Sequence, residues 1–327
     1  MHGYKTFHEE IMNGLIENVQ NGSSSNAYVF EGAKGLNKHE SARLFAAALT
    51  CMSHGGSIPC GICRSCTESA ANSNPDIIYV EKPKDKKTIP VDTIRGVNTD
   101  AAVKPFSAPR KVYIINEGDL LRTEAQNAFL KTFEEPPEYA VFIIVVQSAS
   151  SLLPTILSRA VTVRFPRLSD ELTSKILLER HPEEEKRIPF LVNFCEGIPG
   201  RAEEIINDGE FEELRGESLN VLAKIMTGGK RAAFDAEDFT EKNKEKAGEI
   251  FSFWTSYLRD ILALQCGAFD RTINSDKLPA LRKLSGRFDA KTTVRAAELM
   301  IEGLQMLDRY IKPSAVALRC ALRINIK

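Results

Sequence analysis

Four cysteines, Cys51, Cys60, Cys63 and Cys66, fall in the spacing C-x8-C-x2-C-x2-C. Two thiolates separated by two residues reach one ion from a single tight turn, and four of them complete a closed tetrahedral zinc shell. Gly55, Gly56, Pro59 and Gly61 punctuate the segment, as a loop with no core of its own requires if it folds around a metal. Four thiolates also suit an iron-sulfur cluster, but nothing nearby suggests redox chemistry, so the expected ion is zinc. Its expected role is structural, because a closed shell leaves no position for water or substrate. The remaining cysteines, Cys195, Cys266 and Cys320, are scattered in helical-looking stretches and read as ordinary buried thiols.

A second group concerns phosphate. Gly32-Ala33-Lys34-Gly35-Leu36-Asn37-Lys38-His39 follows an apolar run and precedes an amphipathic stretch, which is the frame of a P-loop. That motif, G-x-x-x-x-G-K-[ST], uses its second Gly to bring backbone N–H groups against phosphate and its hydroxyl residue to hold magnesium. Gly32, Gly35 and Lys38 survive, but Asn37 stands for the second Gly and His39 for the hydroxyl residue. Such a vestigial loop should bind ATP poorly and hydrolyse none. A second lesion follows the run 111–115, which ends in Asn116-Glu117-Gly118-Asp119. A working ATPase places a metal-binding Asp and then a catalytic Glu there, and neutral Asn116 weakens the metal site further.

The elements that position these groups can be read from periodicity. Short apolar runs at 27–31, 76–80, 111–115, 141–146 and 161–165 alternate with amphipathic stretches, so a largely parallel sheet covered by helices on both faces is expected. The continuous apolar run 141–146 suits a central strand buried on both sides. Ligands of open sheets bind beyond the carboxyl ends of the strands, where the phosphate loop and Asn116 fall. After Pro166 only helical patterns occur, short at 170–180, 183–195 and 202–207, then longer at 211–226, 240–267, 277–288 and 291–311. The charged run 81–87, with Lys82, Lys84, Lys86 and Lys87, reads as a solvated hairpin tip lacking aromatic stacking partners. The 43 basic and 44 acidic side chains nearly cancel, so no whole-protein field draws nucleic acid. With no apolar run long enough to span a bilayer and no apolar h-region near the first residues, a cytoplasmic location without membrane attachment is expected.

Taken in order, Asn26-Ala27-Tyr28-Val29-Phe30, the phosphate loop and the cysteine cluster precede two further motifs, Ala125-Gln126-Asn127-Ala128-Phe129-Leu130-Lys131-Thr132-Phe133-Glu134-Glu135-Pro136-Pro137 and Leu153-Pro154-Thr155-Ile156-Leu157-Ser158-Arg159. Together they resemble bacterial DNA polymerase III clamp-loader subunits. The resemblance covers the first 205 residues well and the remainder only by length and helical character. It implies an α/β P-loop AAA+ domain over 1–166 with a zinc module inserted at 51–66, a small helical lid over 167–208, and an all-α collar over 209–327 that joins subunits into a hetero-oligomeric ring. Two branches of the family share this layout, an ATP-hydrolysing tau/gamma branch and a delta-prime branch. The damaged phosphate loop and modest length favour delta-prime.

By the same resemblance Ser158-Arg159 matches the family's Ser-Arg-Cys motif, with Ala160 replacing the Cys, and its Arg acts as a finger on ATP bound by the neighbouring subunit. A permanently charged guanidinium suits that task. Without the family, Arg159 would equally be read as pairing with an acid or capping a helix. Where active subunits carry a second nucleotide-sensing Arg, this chain has Gly200, and Arg201 sits about 100° further round a helix. The implied partners are tau/gamma and delta subunits and, through the complex, the sliding clamp (beta) and primed DNA. The implied role is that of a degenerate ATPase acting as a stator within the DNA polymerase III holoenzyme. The rivals are an autonomous tau/gamma-like ATPase using Lys38 and Glu117, and a zinc-dependent nucleic-acid-binding module.

Overall fold

The computed structural model describes residues 6–53 and 56–325; Gly55 and the first five residues lie outside them. The chain forms two compact units, Met1–Ile176 with Glu196–Arg201, and Leu177–Cys195 with Ala202–Lys327.

In the first unit, helix α1 (Glu9–Gln20) leads into β1 (Ala27–Glu31), α2 (Lys38–Leu49), α3 (Arg64–Ala70), β2 (Ile77–Val80), α4 (Val91–Ala101), β3 (Lys111–Ile115), α5 (Thr123–Glu134), β4 (Ala140–Val146), α6 (Pro154–Leu157), β5 (Val161–Arg164) and α7 (Asp170–Arg180). The strands form one parallel sheet in the order β2-β3-β4-β1-β5. Each face has its own core. Phe30, Ile114 and Ile143 pack with Met12 of α1 and Phe45 of α2 on one side. Val29, Tyr113, Phe142 and Ile144 pack with Ile94 of α4 and Phe129 of α5 on the other. All seven residues of β4 are buried, as its unbroken apolar run requires of a strand covered on both faces. At the sheet edge, β5 is largely exposed and its last strand residue is Arg164. Because every pairing is parallel, the charged run 81–87 is no hairpin tip; it is the loop from β2 towards α4.

The second unit is helical: α8 (Ile188–Cys195), α9 (Pro199–Asn207) from Ala202 onward, α10 (Phe211–Thr227), α11 (Lys230–Lys242), α12 (Ala247–Gln265), α13 (Leu278–Ser285), α14 (Ala290–Asp308) and α15 (Pro313–Asn325). The helix expected over 240–267 is α12 and the last residues of α11, a separate helix most of which was not expected. Asn243 leaves the helical region at φ −112° and ψ 35°, its amide donates to the Phe239 carbonyl, and a short 3₁₀ turn follows. Helix α15, absent from the sequence reading, opens on Pro313, whose fixed φ and missing N–H suit a first helical position. Phe251, Trp254, Leu258 and Ile261 are fully buried, so this apolar stripe belongs to the unit's own core. Cys195 and Cys320 are buried as expected, but Cys266, at the C-cap of α12, is exposed.

A guanidinium lies deep in this unit. Arg215 is fully buried, donates to both oxygens of Asp276 at 2.9 and 2.7 Å and to Asn274 Oδ1 at 2.9 Å, and stacks 3.7 Å from the Phe190 ring centroid. Buried guanidinium is tolerable only with such a set of partners. The Tyr257 hydroxyl donates to the Arg215 carbonyl, tying α12 to α10 at the same point.

Candidate functional site

The carboxyl ends of β1, β2, β3 and β4 converge on the phosphate-loop segment. Asn37 adopts the left-handed conformation, φ 58° and ψ 31°, immediately before α2. Asn tolerates this region better than most side chains, so it reproduces the turn a glycine would make while adding a side chain where backbone and phosphate would need to meet. Lys38 is buried, and its ammonium donates to the loop's own carbonyls, Gly32 O at 2.6 Å and Ala33 O at 2.8 Å. Burial lowers its pKa, and the charge of Asp119 works in the opposite direction. The Lys that would meet a phosphate is therefore turned inward on the chain that carries it.

Gly35 adopts φ 92°, and a Cβ there would lie 2.8 Å from Ile198 Cγ2. Gly200, at the start of α9, donates its N–H to the Gly35 carbonyl at 3.0 Å, and a Cβ on Gly200 would lie 2.5 Å from Gly35 Cα. Neither glycine has room for a side chain. Position 200 is thus a backbone-to-backbone seal on the phosphate loop. Arg201 is directed away and lies 3.9 Å from Glu196.

Where magnesium would be held, the replaced residues bond to each other. His39 Nδ1 lies 2.8 Å from Asn116 Oδ1, and Asn116 Nδ2 donates to Glu81 Oε1 at 3.3 Å. Since Oδ1 only accepts, Nδ1 carries the proton in this arrangement. Asp119 accepts from the backbone N–H of Gln147 at 2.8 Å and from Ser151 Oγ at 3.1 Å, so it organises the loop after β4. Glu117 adopts the left-handed conformation, φ 52°, and begins the turn after β3.

The four cysteines come together across the end of α2, the intervening loop and the start of α3. Their sulfurs all lie within 4.8 Å of one another, with Cys60 and Cys66 3.9 Å apart. A tetrahedron of roughly 2.3 Å zinc–sulfur bonds has edges of about 3.8 Å, so the donor set fits a single ion of that kind. The Cys63 N–H points at Cys60 Sγ, and the Cys66 N–H at Cys63 Sγ, the N-cap of α3. The backbone N–H groups of Ile62 and Cys63 pull Cys60 down to about 6, whereas burial pushes Cys51 and Cys66 up. A cation between them would favour thiolate in all four.

Ser158 and Arg159 follow α6 on the surface. Arg159 Nη1 donates to the Thr155 carbonyl at 3.0 Å and to Ser158 Oγ at 3.2 Å, while Nη2 pairs with Glu134 Oε1 at 3.0 Å. The sequence raised pairing with an acid as an alternative for Arg159 without naming the acid. Glu134 lies within the quoted run 125–137, but a contact spanning 25 positions has no local signal.

The chain matches the family model described as DNA polymerase III, delta subunit, over residues 7–169. It matches the model described as DNA polymerase III, delta subunit, C terminal, over residues 210–312. It is 27% identical over 278 residues to the DNA polymerase III subunit delta' of Bacillus subtilis, spanning 84% of this chain and 82% of that protein. It is 32% identical over 182 residues to the tau/gamma subunit of Haemophilus influenzae, spanning 56% of this chain but only 26% of that much longer protein. Among solved structures, a DNA polymerase III gamma subunit-related protein of Thermotoga maritima aligns over 96% of this chain and 98% of its own, at 15% identity and a TM-score of 0.48.

Proposed function

From the premise that this chain belongs to the DNA polymerase III clamp-loader family, with family models matching 7–169 and 210–312, we propose that it acts as a delta-prime stator which donates Arg159 to ATP on a neighbouring subunit. The observation that carries this reading is the self-satisfied phosphate loop: Lys38 is spent on Gly32 and Ala33, and Gly200 seals Gly35. A subunit so built contributes to ATP hydrolysis only in trans. Arg159, on the surface with Ser158 beside it, is the group with the charge and reach to do so.

In this reading Gly32, Gly35 and Lys38 keep the shape of an AAA+ phosphate loop without its chemistry. Residues 1–166 form the AAA+ domain, 167–208 the lid and 209–327 the collar; the gap between the two family matches, between 169 and 210, supports that division. Cys51, Cys60, Cys63 and Cys66 hold a structural zinc ion. The partners are tau/gamma and delta subunits, and through them the sliding clamp and primed DNA, in the cytoplasm.

The test is DNA-stimulated ATP hydrolysis by a reconstituted loader containing this chain or its Arg159→Ala variant, alongside the isolated chain. The expected result is an inert isolated chain and a slower ring with Arg159→Ala. Turnover by the isolated chain, with the ring indifferent to the substitution, would instead make this an ATPase in its own right.

A further inference from the structure

Helix α5 ends on an electrostatic conflict. Its last residue is Glu134 and its C-cap is Glu135, two carboxylates at the negative end of the helix dipole, where a cation would be favoured. Nothing in the packing of α5 calls for acid there, since Glu134 is half-exposed and the buried face is supplied by Ala125, Phe129 and Phe133. Lys131, in the last turn, offsets part of the conflict, and the cation that engages Glu134 directly is Arg159. Its guanidinium reaches Glu134 through Nη2 and is steadied from the other side by the Thr155 carbonyl and Ser158 Oγ through Nη1. A locally unfavourable residue paired directly with a functional group is the pattern expected at a site rather than in a scaffold.

Resting on the reading of Arg159 as a finger in trans, we propose that Glu134 is a positioning residue that parks the finger until a neighbour's ATP displaces it. The carboxylate occupies the guanidinium as a phosphate oxygen would, through the same charge-assisted N–H···O contact. The pair is made to be exchanged. With side chains 38% and 53% exposed for Arg159 and Glu134, it is a surface ion pair, weak and screened by salt, while a triphosphate offers more charge to the same donors. Parking keeps the guanidinium from other anions and sets a modest threshold that only a correctly docked triphosphate crosses.

The threshold predicts a split in kinetic constants. In a reconstituted loader, Glu134→Gln removes the competing charge and keeps the shape. The apparent KM for ATP should fall about two- to fivefold, as the loss of a surface pair implies, with kcat altered far less. Glu134→Asp should keep the KM near that of the unaltered protein, and the Glu134→Gln effect should shrink as salt is raised. Combined with Arg159→Ala, Glu134→Gln should have no further effect. A raised KM, a kcat loss resembling that of Arg159→Ala, or an effect that survives in the Arg159→Ala background overturns the parking role. If Arg159→Ala alone leaves the ring unchanged, the finger reading falls and parking with it; if Arg159→Ala slows the ring and Glu134→Gln leaves KM unmoved, parking alone falls.

Discussion

Individual side chains in the first unit are committed to each other, and three of them make testable statements. Asn37 and His39 are the departures from a working phosphate loop most easily reversed by mutation. The isolated chain carrying Asn37→Gly and His39→Thr is nevertheless expected to show no binding of a fluorescent ATP analogue, because the Gly200–Gly35 contact and the inward Lys38 remain. Micromolar binding by that variant would mean that the loop opens readily. His8 gives a pH dependence. It is buried beside Phe165 with Nε2 on the Pro166 carbonyl, and burial, assisted by the Lys38 charge, lowers its pKa from the usual 6.5. The unfolded chain then takes up a proton near pH 6.5 that the folded chain refuses, so stability is full above that pH and declines as pH falls towards the depressed value. Urea midpoints at pH 7.5 and 5.5 should drop more for the unaltered protein than for His8→Gln. The cysteine spacing and the phosphate-loop frame were legible because each is written in one continuous stretch. The partners of Arg159, Gly35 and His39 were not, because each comes from a distant element that only the fold brings near.

At the scale of elements, the cysteine module and the buried Arg215 are places where a single group holds several segments. Cys51 follows α2 and Cys66 lies in α3, so an ion bound to all four sulfurs clamps these helices and the loop between them. A structural zinc ion in such a shell would contribute on the order of 10 kcal/mol to the folding of its module. Chelation should therefore release one zinc per chain and raise hydrogen exchange in 56–70, while strands β1, β3 and β4 stay protected. Release of no metal, or loss of protection throughout the sheet, would contradict the module's local role. In the helical unit, Arg215→Ala leaves Asp276 and Asn274 without their donor and Phe190 without its stacked cation. The expected loss is about 2–3 kcal/mol in urea unfolding, less than the roughly 3–5 kcal/mol for a fully buried pair because Asp276 is partly exposed. The sheet was legible almost to the residue, since a strand covered on both faces has an unbroken apolar run. Helix boundaries were less so: Asn243 lies in a polar stretch with no Pro or Gly to mark the break, and Arg215 reads on paper as an ordinary surface charge of α10.

For the whole molecule, the separation into two units with their own cores means that damage should be local. Denaturant unfolding is expected to resolve into two transitions, with Arg215→Ala moving one and leaving the other in place. A single transition would mean that the units unfold together. The sequence carried this division only as a change from alternating to purely helical patterns, because Glu196–Arg201 returns to the first unit through distant contacts, Gly200 to Gly35, Gly197 to Leu168 and Ile198 in the core, rather than through any local preference. The strand order has a further effect on how the chain is made. Strand β1 has no sheet neighbour nearby in the chain: Ala27 lies opposite Phe142 of β4, and Tyr28 opposite Val161 of β5. During synthesis at roughly 5–20 residues per second, the strand that leads into the phosphate loop emerges first and waits on the order of ten seconds for its partners to leave the ribosome. Through that interval Tyr28 and Phe30, later among the best-buried side chains of the unit, have the α1 and α2 face to pack on, whereas Val29 faces the other side, which α4 and α5 complete.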